Sequence, residues 1–283
     1  MNSDKLNSII KKRAKGSNDM SLHLHQMFFF EHVLMRLAVS KYKDNVILKG
    51  GVLLSSIIGN DMRTTKDIDA TLKSIPLNIN TIEKIFNEIL SIELNDGVKF
   101  KIESIKDIRL EDAYGGFRIN VFATFDKLKT NFFLEVTTGD IITPREINYK
   151  YKSLFEDETI NIMTYTVETI ISEKFESIIS KNIHTTRSKD FYDLYMLMIK
   201  NKDKINKENL IKAIENTFKH RNTNFNIDYL KEVFDIIKDS KILENNFNDY
   251  RKKLNYVKNI NYEDTISAIK MVIAMLEEEL VVV

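Results

Sequence analysis

Near the end of the first quarter of the chain, Asp67-Ile68-Asp69-Ala70-Thr71-Leu72 alternates polar with apolar residues, and that alternation restricts the folds open to it. On an extended strand, residues i and i+2 point to the same face. Asp67 and Asp69 therefore stand side by side, while Ile68, Ala70 and Leu72 line the opposite, buried face. Two like charges held that close repel, so the arrangement asks for a cation. Oxygen ligands without histidine or cysteine favour Mg²⁺ over zinc. The chain has no cysteine at all, which removes disulfides and thiolate metal sites. Upstream, Leu48-Lys49-Gly50-Gly51 supplies a glycine pair whose amides can approach phosphate oxygens with no Cβ in the way.

The 283 residues suffice for about two domains, and 43% hydrophobic content marks an ordinary globular chain. Two prolines and eight glycines argue for long regular elements. Helical spacing predicts helices over 20–42, 52–58 and 81–94, with Phe28-Phe29-Phe30 in the core. Strands are predicted over 45–49, 67–73, 98–104, 117–124 and 131–137, with turns at Gly115-Gly116 and Asp126-Lys127. From about 164 the pattern is helical to the end, over 164–181, 187–200, 206–219, 227–239, 241–256 and 262–280, with Val281–Val283 as a frayed tail. The polar stretch 148–163 holds the boundary, giving domains at 1–155 and 156–283. The fold class is α+β: a mixed sheet with helices on one side, then an all-helical part. No run of 18 apolar residues occurs and the polar N-terminus lacks a secretory segment, so the simplest expectation is a cytoplasmic protein with no membrane partner. Net charge is +1, and the basic clusters Lys11-Lys12-Arg13-Ala14-Lys15, Lys219-His220-Arg221 and Arg251-Lys252-Lys253 allow a polyanionic partner without requiring one.

A two-metal phosphoryl-transfer site needs a third carboxylate. Glu135, mid-strand among apolar neighbours, is the leading candidate, with Glu103 and Asp140 behind it. The competing reading is a strand carboxylate paired with a nearby lysine or simply exposed. Arg63, Thr64 and Lys66 lead into the strand as triphosphate contacts, or merely neutralise the aspartates. In the helical half, Lys174 falls inside the apolar stripe of Val167, Ile170, Ile171, Phe175 and Ile178, and Asp190 falls between Leu194 and Leu197. A buried lysine and a buried aspartate each need a partner. Either they bridge the two helices, or Lys174 reaches nucleotide phosphates with Asp190 orienting it and Arg187 adding a second contact.

Glycine turn, helix, then Asp-x-Asp on a strand resembles a nucleotidyltransferase active site. The ordered blocks resemble, more narrowly, the AbiEii family of nucleotidyltransferase-like toxins of type IV toxin–antitoxin, abortive-infection systems. They run through Leu48-Lys49-Gly50-Gly51, Arg63-x-Thr65-x-Asp67-Ile68-Asp69, Glu135-x-x-x-Gly139-Asp140, Glu168 to Phe175, and Arg187 to Leu194. The resemblance implies a nucleotidyltransferase-type domain followed by a helical domain that contributes phosphate-binding residues. It implies Mg²⁺, an NTP co-substrate, an RNA acceptor (the tRNA 3′ end in characterised relatives) and a cognate antitoxin, with or without direct contact. The family's motif residues fall on Gly51, Asp67, Asp69, Lys174 and Asp190, with Gly50, Arg63, Thr65, Lys66 and Arg187 as nucleotide contacts and Glu135 completing the metal site. Many relatives have Gly-Ser where this chain has Gly50-Gly51, and often Asp where Glu135 stands. Transfer to a small molecule, and NTP or RNA binding without chemistry, are the competing functions.

Overall fold

A computed structural model of the chain describes residues 1–108 and 115–282. They divide into two compact units, one of Met1–Asp140 with Glu146–Thr164 and one of Ile141–Arg145 with Tyr165–Val283.

The first unit begins with helices α1 (Ser3–Ala14) and α2 (Asn18–Val39), then strand β1 (Val46–Lys49) and helix α3 (Gly50–Ile58). Strand β2 (Asp67–Leu72), helix α4 (Ile79–Leu90) and the meander β3 (Val98–Ile108), β4 (Gly116–Phe125) and β5 (Leu128–Thr138) follow. A hairpin of β6 (Ile147–Lys152) and β7 (Thr159–Thr164) ends it. All seven strands form one mixed sheet in the order β3-β4-β5-β2-β1-β7-β6. The β2–β5 and β1–β7 pairs are parallel and the rest antiparallel. Polar side chains start the helices: Asn2, Ser17 and Asn78 accept hydrogen bonds from the backbone N–H groups of Lys5, Met20 and Thr81.

One face of the sheet is the core. Leu48, Ile68, Ala70, Leu134 and Val136 meet Val33, Leu34 and Leu37 of α2 and Phe86 and Ile89 of α4 around a small internal cavity. Phe28, Phe29 and Phe30 are all buried, as their spacing predicts. Three consecutive helical residues span more than half a turn, so α2 is covered on several sides: Phe28 packs on Phe125 and Phe155, and Phe30 on Phe132. Each such ring contributes roughly 1.5–3 kcal/mol by leaving water. Buried Arg36 ties α2 to the start of β3, donating to both carboxylate oxygens of Asp96 and to the Val98 carbonyl.

The second unit is helical: α5 (Val167–Lys181), α6 (Ser188–Tyr195) running into a π-helical turn over Met196–Lys200, α7 (Lys207–His220), α8 (Ile227–Lys238), α9 (Lys241–Lys253) and α10 (Tyr262–Val282). Residues 141–145 join it because Thr143 exchanges hydrogen bonds with the start of α5. Its N–H donates to Thr169 Oγ1 at 2.9 Å, and its carbonyl accepts from Thr166 Oγ1 at 2.7 Å.

The predicted helices and strands are all present, with ends shifted by a few residues. Three elements were not anticipated. Residues 3–14 read only as a basic segment, and 148–163 only as a polar boundary. Strand β7 pairs into the sheet beside β1, although the expected boundary at 155 left it on the helical side. Val281 and Val282 continue α10 where a frayed tail was expected, and Val283 lies outside the described residues. Among the described residues no helix is long and apolar enough to cross a membrane.

Candidate active site

The outer face of the sheet carries the polar half of the alternating pattern. Asp67 and Asp69 are half-buried there, while Ile68 and Ala70 point into the core. Strand register aligns Asp69 with one residue from each of four other strands. Lys106 pairs with Arg118, Arg118 with Glu135, Glu135 with Asp69, and Asp69 with Lys49. A lateral row of charges thus crosses the sheet with two carboxylates at its centre.

Asp69 also meets the start of α3. Gly51 N–H donates to its Oδ2 at 3.3 Å. Gly50 has φ +65°, and a Cβ built on it would lie 1.9 Å from Asp69 Oδ2. A Cβ on Gly51 would lie 2.2 Å from Thr65 Oγ1. Both glycines are therefore required by close approach of the backbone to the acidic strand. The amide expected to cradle phosphate is turned, in this structure, to the aspartate.

Thr65 is buried, and its hydroxyl donates to Asp67 Oδ1 at 3.0 Å. Arg63 is also buried, and its guanidinium bonds the Thr64 carbonyl. These two expected nucleotide contacts shape the entry to β2, whereas Lys66 is exposed. His23, buried on α2, sits with Nδ1 3.4 Å from the Thr65 carbonyl. Burial drives its pKa down to about 4, so it is neutral near pH 7.

Electrostatics single out Asp69. Desolvation, then the charges of Asp67 and Glu135, push its pKa above the ordinary carboxylate value; Lys49 and the Gly51 amide oppose them. Lys49 is buried, donating to Thr137 Oγ1 at 2.7 Å and to Asp140 Oδ2 at 2.5 Å. Arg118 donates to Glu135 Oε1 through Nε at 2.9 Å and Nη2 at 2.5 Å. Glu103, a weaker candidate, is exposed on β3 and pairs with Lys101 at 3.0 Å. Among the described residues no group of three or more histidine, aspartate or glutamate side chains is arranged to hold a metal ion. By donor chemistry the aspartate pair suits a hard divalent cation: all-oxygen ligands, one of them desolvated and crowded by like charge. The expected third ligand, Glu135, is engaged by Arg118.

In the second unit, Lys174 Nζ lies 2.5 Å from Asp190 Oδ1 and 3.1 Å from Asp193 Oδ2, so the interhelical bridge is present. Both aspartates are buried, and Arg187 Nε adds a contact to Asp190 Oδ2 at 2.7 Å. The three basic clusters lie in or beside the last turns of α1, α7 and α9, where cations complement the helix dipole. Arg221 there is paired with Glu173 and Glu176.

Sequence reasoning missed Lys49, Arg118 and Asp193. Asp193 was the findable one: it lies one helical turn from Asp190, on the side that meets Lys174. Arg118 carried a weaker signal, a cation in an otherwise alternating strand. Lys49 gave none beyond standing before the glycines.

The sequence profile of the family described as "Nucleotidyl transferase AbiEii toxin, Type IV TA system" matches residues 32–267, most of the chain. No match is found among curated proteins. Among solved structures, a candidate nucleotidyltransferase from H. pylori is similar at TM-score 0.52 and 16% identity, covering 92% of this chain and 96% of that one. JHP933 from Helicobacter pylori is similar at TM-score 0.52 and 16% identity, covering 92% of this chain and 93% of that one. At such identity the likeness is one of fold.

Proposed function

This chain belongs to the AbiEii family of nucleotidyl transferase toxins of type IV toxin–antitoxin systems, and from that premise we propose that it transfers a nucleotidyl group from an NTP to RNA, at the 3′ end of tRNA. The family supports a nucleotidyltransferase with an NTP substrate and an antitoxin as partner class. The RNA acceptor, Mg²⁺, action in the cytoplasm and a role in phage defence are our reading.

One observation carries it: Asp67 and Asp69 share the outer face of the sheet, against the start of a helix whose glycines leave no room for a side chain. We assign the divalent cation to Asp67 and Asp69. When bound it neutralises triphosphate charge and eases departure of pyrophosphate. The acceptor hydroxyl oxygen bonds to the α-phosphorus as the bond from that phosphorus to the β-bridging oxygen breaks. Glu135 accepts the hydroxyl proton, or joins the metal site, by exchanging its contact with Arg118. Arg118 then offers its guanidinium to phosphate oxygens. Thr65 holds Asp67, and the Gly51 N–H holds Asp69, so that both carboxylates meet the substrate from fixed positions. Lys174 is assigned phosphate binding, with Asp190 orienting it, on the family resemblance alone.

The test is incubation of purified protein with each labelled NTP, Mg²⁺ and total RNA, beside Asp67→Asn. Label in tRNA that depends on Asp67 is expected. NTP binding without transfer overturns the catalytic reading, and label only in small molecules overturns the RNA acceptor.

A further inference from the structure

The outer face of β3, β4 and β5 carries an aromatic ring that the core does not need. Phe133 is 42% exposed, on the strand that otherwise buries Phe132, Leu134 and Val136. It is the register partner of Asp67 on β2 and of Asn120 on β4. A lone exposed apolar side chain on a sheet is ordinary. This one is dressed. The Arg118 guanidinium lies over its ring, 5.3 Å from the centroid. Beside it, Asn131 Nδ2 donates to Asn120 Oδ1 at 3.2 Å, leaving amide donor and acceptor positions at the surface. Lys106 and Lys129 are exposed on the same face, set there by their pairing with Arg118 and Thr124.

From this placement we infer that the open face of β3–β5 is a binding platform for single-stranded RNA, with Phe133 stacking the base next to the reacting hydroxyl. The inference rests on the proposed RNA acceptor and names the residues that hold it. Unpaired bases are held by stacking on aromatic rings and guanidinium planes and by amides at their edges, and the phosphates by cations along the path. All three kinds of group are here, with Lys106, Arg118 and Lys129 as the cations. Neighbouring strands stand about 5 Å apart, so a base on Phe133 brings its ribose within reach of Asp67. A duplex is too stiff to lay its bases flat on this ring, so the platform selects frayed or unpaired ends.

Fluorescence anisotropy with a short labelled single-stranded oligoribonucleotide tests the platform directly, without requiring turnover. Phe133→Leu keeps an apolar side chain but loses the stacking plane, and should weaken binding about tenfold, the size of one lost stack. Phe133→Trp should restore it. Ile242→Ala, which trims another exposed apolar side chain on α9, should leave affinity unchanged. Circular dichroism confirms that each variant is folded. Equal affinity of wild type and Phe133→Leu, tighter binding of a duplex of the same sequence, or no binding by wild type overturns the inference. The labelled-NTP experiment decides the parent reading separately. If wild type transfers no label to RNA yet binds the oligonucleotide through Phe133, the platform stands and the transfer reaction falls. If label enters RNA and Phe133→Leu leaves the KM for RNA unchanged, the reaction stands and the platform falls.

Discussion

Asp69 is held where its own charge is disfavoured, between Asp67 and Glu135 and against a helix start that admits no Cβ. A site that gathers negative charge before its ligand arrives trades stability for binding. Asp69→Asn should therefore raise the melting temperature of the metal-free protein while lowering nucleotidyl transfer at least about a hundredfold. A lower melting temperature with transfer retained contradicts this. Gly50→Ala puts a Cβ into the Asp69 carboxylate at positive φ. It should cost about 2–3 kcal/mol in chemical denaturation and abolish transfer. The acidic pair and both glycines were legible in the sequence because strand periodicity and a missing Cβ are local properties. Lys49 was not. Its partner Asp140 is 91 positions away, and only strand pairing brings Thr137 and Asp140 to it.

Elements are joined here by buried polar contacts. Glu31 on α2 accepts hydrogen bonds from Tyr151, Ser153 and the Leu154 N–H, pinning the β6–β7 hairpin to the helix. Burial raises its pKa from 4.5 to about 7, more than those donors lower it. A raised carboxyl binds more protons folded than unfolded between these values. Stability should thus fall by roughly 3 kcal/mol as pH rises from 4.5 to 7, and Glu31→Gln should flatten that slope in urea titrations. In the second unit, Lys174→Ala leaves Asp190 and Asp193 buried without its ammonium and should destabilise by about 3 kcal/mol or more. Loss of toxicity in that variant alone says little about phosphate binding. Lys174→Met with Asp190→Asn should recover much of the stability. If the double variant is stable and still transfers nucleotide, the family role assigned to Lys174 is wrong. The hairpin was hidden by its lysines. Tyr149 and Tyr151 alternate with Lys150 and Lys152, and Ile160 and Ile162 alternate with Asn161, but so short and polar a pattern reads as a boundary. Helix α1 was hidden likewise, its apolar Leu6, Ile9, Ile10 and Ala14 matched in number by the cations Lys5, Lys11, Lys12 and Arg13.

For the whole molecule, an α+β fold with a mixed sheet followed by helices was readable from the change of period alone. The switch from two-residue alternation to helical spacing falls near 164, where the sheet unit ends. The order of strands was not readable. It depends on β5 and β7 running parallel to β2 and β1 across long connections. That order sets Glu135 and Arg118 beside Asp69, and Phe133 beside Asp67. Asp67 and Asp69 are expected together to hold a divalent cation for the incoming triphosphate. Mn²⁺, added stepwise and followed by the paramagnetic resonance of the unbound ion, reads this without turnover. Wild type is expected to take up the ion stoichiometrically, more tightly with NTP present, and Asp67→Asn and Asp69→Asn to lose that uptake while remaining folded. Equal uptake by wild type and both variants would contradict it.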